Sequence, residues 1–123
     1  QAPHYGDVAA EVTHFLSERL HACHAAGIAD VLVDPGFGFG KSTGHNYTLL
    51  RELPRMVALG APVLVGVSRK RMINEVLGTS PAGALNGTTV LNTLALLGGA
   101  AVLRVHDVRE AVQCVQLVQA FRS

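Results

Sequence analysis

Three short stretches of this 123-residue chain carry the residue types that do chemistry. Asp34-Pro35-Gly36-Phe37-Gly38-Phe39-Gly40-Lys41 sets a carboxylate ahead of a nearly bare backbone and an amine behind it. Gly66-Val67-Ser68-Arg69-Lys70-Arg71 offers a hydroxyl among three cations. Arg104-Val105-His106-Asp107 places an imidazole two residues beyond a guanidinium, so that in an extended backbone both point to one side. Arginine with histidine suits a multiply charged oxyanion such as phosphate or pyrophosphate. The alternative for Arg104 is an internal ion pair with a carboxylate, because an unpaired guanidinium buried in an apolar strand is costly. Asp34 suits the N–H and NH2 donors of a ring, or it caps the turn that follows. If the strand runs on, Ser68 and Lys70 share one side, and Arg69 and Arg71 take the other.

Spacing argues against other chemistries. Gly40-Lys41-Ser42 matches the end of a nucleotide phosphate loop, but the position of its first glycine holds Pro35, which has no N–H for a phosphate. The dinucleotide pattern fails as well: its third glycine would fall on Lys41 or Thr43. His21, Cys23 and His24 look like metal ligands, yet zinc needs three or four convergent ones, so they read as a surface helix face and no metal ligand is assigned. No Ser-His-Asp order and no pair of carboxylates stands out.

Elements must bring the three stretches together. Each follows an apolar run of one pattern, Ala-x-Val-Leu: 29–33, 61–65 and 100–104. Short continuous apolar runs are buried parallel strands. Gly27, Gly60 and Gly99 precede them, as a glycine in left-handed backbone ends a helix. Helical periodicity fills the rest. Over ~7–26, Asp7 is the cap and Val8, Val12, Leu16 and Leu20 form one face. A helix over ~46–59 carries Leu49, Leu50, Leu53 and Val57, with Pro54 as a kink or break. Helices over ~70–77 and ~82–97 follow, the second with Ser80 as cap and Pro81 in its first turn. A last helix opens on Asp107 and Glu110 at capping-box spacing, and Val108, Val112, Val115 and Val118 form its stripe.

The order α-β-α-β-α-β-α predicts an α/β fold with the three stretches at the C-terminal ends of parallel strands, where such folds place their active sites. Three strands leave two open edges. The chain therefore reads as the last three strands, with their helices, of an eight-stranded (β/α)8 TIM barrel, which typically takes ~250 residues. A small open α/β domain is the alternative. Hydrophobic residues make up 49 % of the chain and the net charge is +1, enough apolar residues for a core and no basic face for nucleic acid. Cys23 and Cys114, far apart, read as reduced thiols in the cytoplasm. No stretch reads as a signal peptide or as an apolar run of membrane-spanning length. Opening on Gln1, the chain reads as a processed protein or a piece of a longer one.

Val33 to Lys41, Gly66 to Lys70 and Arg104 to Val108, in that order and spacing, resemble the three C-terminal motifs of the dihydropteroate synthase family. The resemblance covers nearly the whole chain, including Ala2-Pro3-His4-Tyr5-Gly6-Asp7-Val8. It implies that residues 1–123 are the C-terminal part of one pterin-binding barrel domain. The activity implied is condensation of a dihydropterin pyrophosphate with p-aminobenzoate, releasing pyrophosphate. By the family's motifs, Asp34 and Lys70 hold the pterin ring with Gly38 beneath it. Phe39 and Ser68 belong to the p-aminobenzoate pocket, and Arg104 and His106 bind the departing pyrophosphate. The resemblance further implies Mg2+, with ligands in a preceding segment, and a homodimer built from the C-terminal helices. Competing readings are a pterin-binding methyltransferase, a non-catalytic self-associating fragment, and a nucleotide-binding domain resting on Gly40-Lys41-Ser42.

Overall fold

Helix α1, Val8–Ala25, begins where Asp7 accepts a hydrogen bond from the Ala10 N–H at 3.0 Å. The computed structural model describes residues 6–123, so Ala2 to Tyr5 of the motif resemblance lie outside the described residues. Val8, Val12, Leu16 and Leu20 recur on one face of α1 and are buried, as their spacing predicts. The helix expected over 46–59 is instead two helices, α2 (Thr43–Arg51) and α3 (Leu53–Val57). Ser42 starts α2 earlier than periodicity suggests: its hydroxyl accepts from the His45 N–H, and the His45 ring accepts from the Ser42 N–H. The break falls at Glu52, which lets Pro54 sit in the first turn of α3, where its missing N–H costs nothing.

Strand pairing is parallel and sparser than the apolar runs suggest. Val33 forms a single bridge to Val63, and β1 (Leu64–Val65) pairs with β2 (Val102–Leu103), Leu64 facing Val102. The five-residue strands expected over 29–33, 61–65 and 100–104 thus shrink. Pro62 has no N–H for a ladder. Ile28 and Leu32 on one flank and Val102 on the other are exposed, without a neighbouring strand among the described residues. The middle run is well packed: Val63, Val65 and Val67 are buried with Phe37, Leu49, Leu53, Met56, Met72 and Ile73. Gly27, Gly60 and Gly99 have the expected left-handed backbone.

After β1 come α4 (Arg71–Leu77), a 3-10 turn over Pro81–Gly83 and α5 (Leu85–Leu97). The single helix expected over 82–97 is thus divided at Ala84, and Ser80 makes no side-chain capping bond. Gly87 lets α5 approach α4 closely: a Cβ there would come within 2.4 Å of Ile73. Helix α6, Val108–Arg122, ends the chain. Its expected valine stripe divides. Val118 is buried with Ala111 and Cys114 against α5, whereas Val108 and Val112 are exposed. Positions 108 and 112 lie about a quarter turn or more from the 111–114–118 seam at 100° per residue. Cys23 and Cys114 are free thiols. No helix among the described residues is long and apolar enough to cross a membrane.

Candidate functional site

Three loops meet beyond the ends of Val33, β1 and β2. The first, residues 34–42, turns through left-handed backbone at Gly36, Gly38 and Gly40 (φ +74°, +94° and +61°). Side chains close to it in sequence fix it. Asp34 Oδ1 accepts from the Gly36 N–H at 2.9 Å. Lys41 Nζ donates to the carbonyls of Gly36 (2.8 Å) and Phe39 (3.3 Å). The buried Asn46 accepts from the Gly38 N–H at 2.9 Å and donates to the Ser42 carbonyl at 3.0 Å. The two aromatic rings part company. Phe37 is 1 % exposed and belongs to the core, while Phe39, at 71 %, stands out over the loop.

Lys70 reaches this loop from the second. Its Nζ donates to the Phe37 carbonyl at 2.7 Å and lies 5.5 Å from the centre of the Phe39 ring. Burial holds the Lys70 pKa below its ordinary value, and the positive charges of Arg104 and Lys41 push the same way against Asp34. Lys41 is likewise lowered by burial, with Asp34 opposing. A Cβ on Gly38 would meet Lys70 Cδ at 3.6 Å, an ordinary contact, so backbone conformation and not crowding calls for glycine there.

The turn-capping reading of Asp34 holds, and its second oxygen meets a cation. One oxygen caps the turn at Gly36; the other lies 3.3 Å from Arg104 Nη2. Arg104 departs from expectation: its side chain is 57 % exposed, because β2 stops at Leu103 and no strand lies outside it among the described residues. The guanidinium lies close to Gly66, where a Cβ would come within 3.1 Å of it.

Ser68 and His106 join the second loop to the third. Ser68 Oγ and His106 Nδ1 are 2.8 Å apart, and the His106 N–H donates to the same hydroxyl at 3.3 Å. The alternation expected for residues 68–71 does not hold, because the strand ends at Val65 and the chain turns tightly, the Lys70 N–H bonding the Val67 carbonyl. Ser68 therefore meets His106 while Lys70 meets the glycine loop. Nor do Arg104 and His106 share a partner: one pairs with Asp34, the other with Ser68. The capping role expected of Asp107 is also corrected. It makes no cap bond; its carboxylate is instead ion-paired with Arg69, Oδ1 to Nη2, at 2.9 Å.

All seven motif residues thus gather at one end of the strands, and their contacts cross the roles assigned from sequence. Asn46 and Thr88 are further parts of the assembly that sequence reasoning missed, and Lys41, Arg69 and Asp107 stood within the motifs without an assigned site role. Lys41 was legible as the amine closing the glycine motif; nothing in the sequence singled out Asn46 or Thr88. His21, Cys23 and His24 form no metal site: no three His, Cys, Asp or Glu among the described residues gather to hold an ion. Chemically, the mouth holds three cations (Lys41, Lys70 and Arg104) about one carboxylate, beside an exposed ring and a hydroxyl–imidazole pair. That arrangement suits a flat, donor-rich ring carrying an anionic group.

Known proteins match this chain in sequence and in fold. The chain is 44 % identical over 125 aligned positions to dihydropteroate synthase of Escherichia coli (strain K12), covering 100 % of this chain and 44 % of that protein. It superposes on Xanthomonas albilineans dihydropteroate synthase with 4-aminobenzoic acid at a TM-score of 0.95 and 50 % identity, covering 99 % of this chain and 46 % of that one. The same enzyme in complex with 7,8-dihydropteroate gives a TM-score of 0.95 at 49 % identity, covering 100 % and 48 %. The chain therefore spans about half the length of the relatives it matches. The family described as pterin binding enzyme matches residues 1–106, which include the first two loops of the mouth and Arg104 to His106 of the third. With its motifs, its fold and these relatives in agreement, the chain belongs to the pterin-binding enzyme family.

Proposed function

We propose that the full-length protein is a cytoplasmic dihydropteroate synthase built as a (β/α)8 barrel, with residues 1–123 as the C-terminal part of that single domain. The observation that carries this reading is the convergence of all three motif loops on one mouth, in a chain aligned end to end with enzymes of that name. The 4-aminobenzoic acid and 7,8-dihydropteroate held by the Xanthomonas albilineans enzyme support p-aminobenzoate and a dihydropterin pyrophosphate as substrates.

In the proposed reaction the bond from the pterin methylene to the pyrophosphate oxygen breaks and takes its electron pair to the leaving group. The arylamine nitrogen then bonds to the methylene and releases a proton to solvent. Asp34 stabilises positive charge growing on the pterin, while Arg104 and His106 stabilise the departing anion. Lys70 holds the ring above Gly38. Phe39 packs on p-aminobenzoate and Ser68 binds its carboxylate. An arylamine is already unprotonated at neutral pH, so no strong base is needed. The magnesium ion implied by the resemblance would draw its ligands from the rest of the full-length protein.

Homodimerisation through the C-terminal helices belongs to the same proposal. Leu97, Leu117 and Phe121 line an apolar groove of about 400 Å3 between α5 and α6, and all three are exposed. The exposed flanks at Ile28, Leu32 and Val102 favour association or partial melting when the chain is alone.

The test is an assay of full-length protein and of residues 1–123. Dihydropteroate is expected from the first alone. A full-length protein that binds ATP but no pterin in calorimetry would replace this reading with the nucleotide-binding one, and a monomeric, active 1–123 would end the half-barrel reading.

A further inference from the structure

Arg69 has a left-handed backbone, φ +57°, the one non-glycine residue among those described with positive φ. An L residue persists in that region only where its surroundings hold it there. Arg69 is held on every side. Its N–H donates to Oγ1 of the buried Thr88 at 3.1 Å, and its carbonyl accepts from Asn74 Nδ2 at 3.1 Å. Asn74 is itself fixed by the Thr79 hydroxyl at 2.9 Å. The guanidinium donates to Asp107 Oδ1 at 2.9 Å. The neighbours of this ion pair are Ser68 and His106, which bond to each other at 2.8 Å. Two cross-links, 68 to 106 and 69 to 107, therefore run side by side between the second and third loops.

We propose that Arg69 is a positioning residue. Its left-handed turn and its ion pair with Asp107 hold Ser68 against His106 and turn Lys70 toward the glycine loop. This rests on the function proposed above, because it makes the p-aminobenzoate and pyrophosphate sides of the site one mechanical unit. The guanidinium is engaged by Asp107, and the role assigned to it needs no substrate contact.

The experiment uses full-length protein with the variants Arg69→Gly, Arg69→Lys and Asp107→Asn. Glycine tolerates the backbone conformation and loses only the side chain, and asparagine keeps the shape of aspartate. Calorimetry measures p-aminobenzoate and inorganic pyrophosphate separately, and 15N NMR of the His106 ring reports its bond to Ser68. Arg69→Gly and Asp107→Asn are each expected to weaken both ligands by about tenfold, the size of one charged hydrogen bond. Both should also shift the His106 ring signal alike, with the double variant no worse than either single one. Arg69→Lys should recover part of the loss. If Arg69→Gly weakened pyrophosphate alone while Asp107→Asn changed nothing, Arg69 would be an anion ligand and the positioning role would be overturned. An unmoved His106 signal in both variants would overturn it too. If the parent bound neither ligand, the synthase reading would fail, and the His106 signal would still decide whether the 69–107 link positions the 68–106 pair.

Discussion

The glycine loop, 34–42, and the tight turn at 67–70 face each other across the mouth and are built on opposite principles. In the first, every left-handed position is a glycine, and the holding side chains, Asp34, Lys41 and Asn46, act within eight residues of their targets. In the second, the left-handed position is an arginine, and two of its holds come from Thr88 and Asp107, 19 and 38 residues away. One loop takes its shape from its own composition; the other has a shape imposed on it by elements that must first be folded around it. Lys70 Nζ on the Phe37 carbonyl couples the two. The contrast teaches that the exposed ring of Phe39 stands on a locally specified platform, whereas Ser68 and His106 depend on tertiary structure for their alignment.

The sharpest way to break the comparison is at Arg104, which spans from the third loop to Asp34 in the first. In the full-length protein, Arg104→Ala is expected to cost ~2–4 kcal/mol in binding of the pyrophosphate-bearing pterin. A pterin without pyrophosphate should bind almost as before. Equal losses for both ligands in calorimetry would make Arg104 a prop for Asp34. Next in size, Gly38→Ala should cost ~1–2 kcal/mol of stability, because an L residue is forced to a φ of +94°. Urea denaturation checks it, and a neutral result would mean that the loop simply rearranges.

Phe39→Ala should weaken p-aminobenzoate by ~0.5–1.5 kcal/mol through lost ring contact and leave the pterin unaffected. Substrate-by-substrate KM values measure this, and Lys70→Ala should show the converse preference. The smallest effect is a pH dependence. Lys70 loses its proton below the ordinary lysine value of 10.5 in the folded protein, so between the two pKa values the unfolded chain binds more protons. The penalty for burying the ammonium is fully present at neutral pH and fades as pH rises through that window. The stability advantage of Lys70→Met over the parent should therefore shrink toward pH 10.5, followed by denaturation midpoints. An advantage that stayed constant across the window would show that Lys70 is solvated in both states.

By itself, the sequence determined whatever depends on neighbours along the chain. Asp7 and Ser42 cap their helices through residues three positions on, and Gly27, Gly60 and Gly99 take the backbone that other residues resist. The parallel order of the apolar runs was legible too, and with it the gathering of Asp34, Ser68, Lys70, Arg104 and His106 at one end. Tertiary structure decided how those residues pair. Phe37 and Phe39 are two residues apart in near-identical contexts, yet one fills the core and the other faces out, because only the packed helices say where the core lies. Asp107 reads as a helix cap, yet its side chain pairs with Arg69 across 38 residues, a contact that no local spacing announces. The strands shrink to two-residue pairings for the same reason: a β ladder requires a neighbour beside it, and no local pattern of valines supplies one.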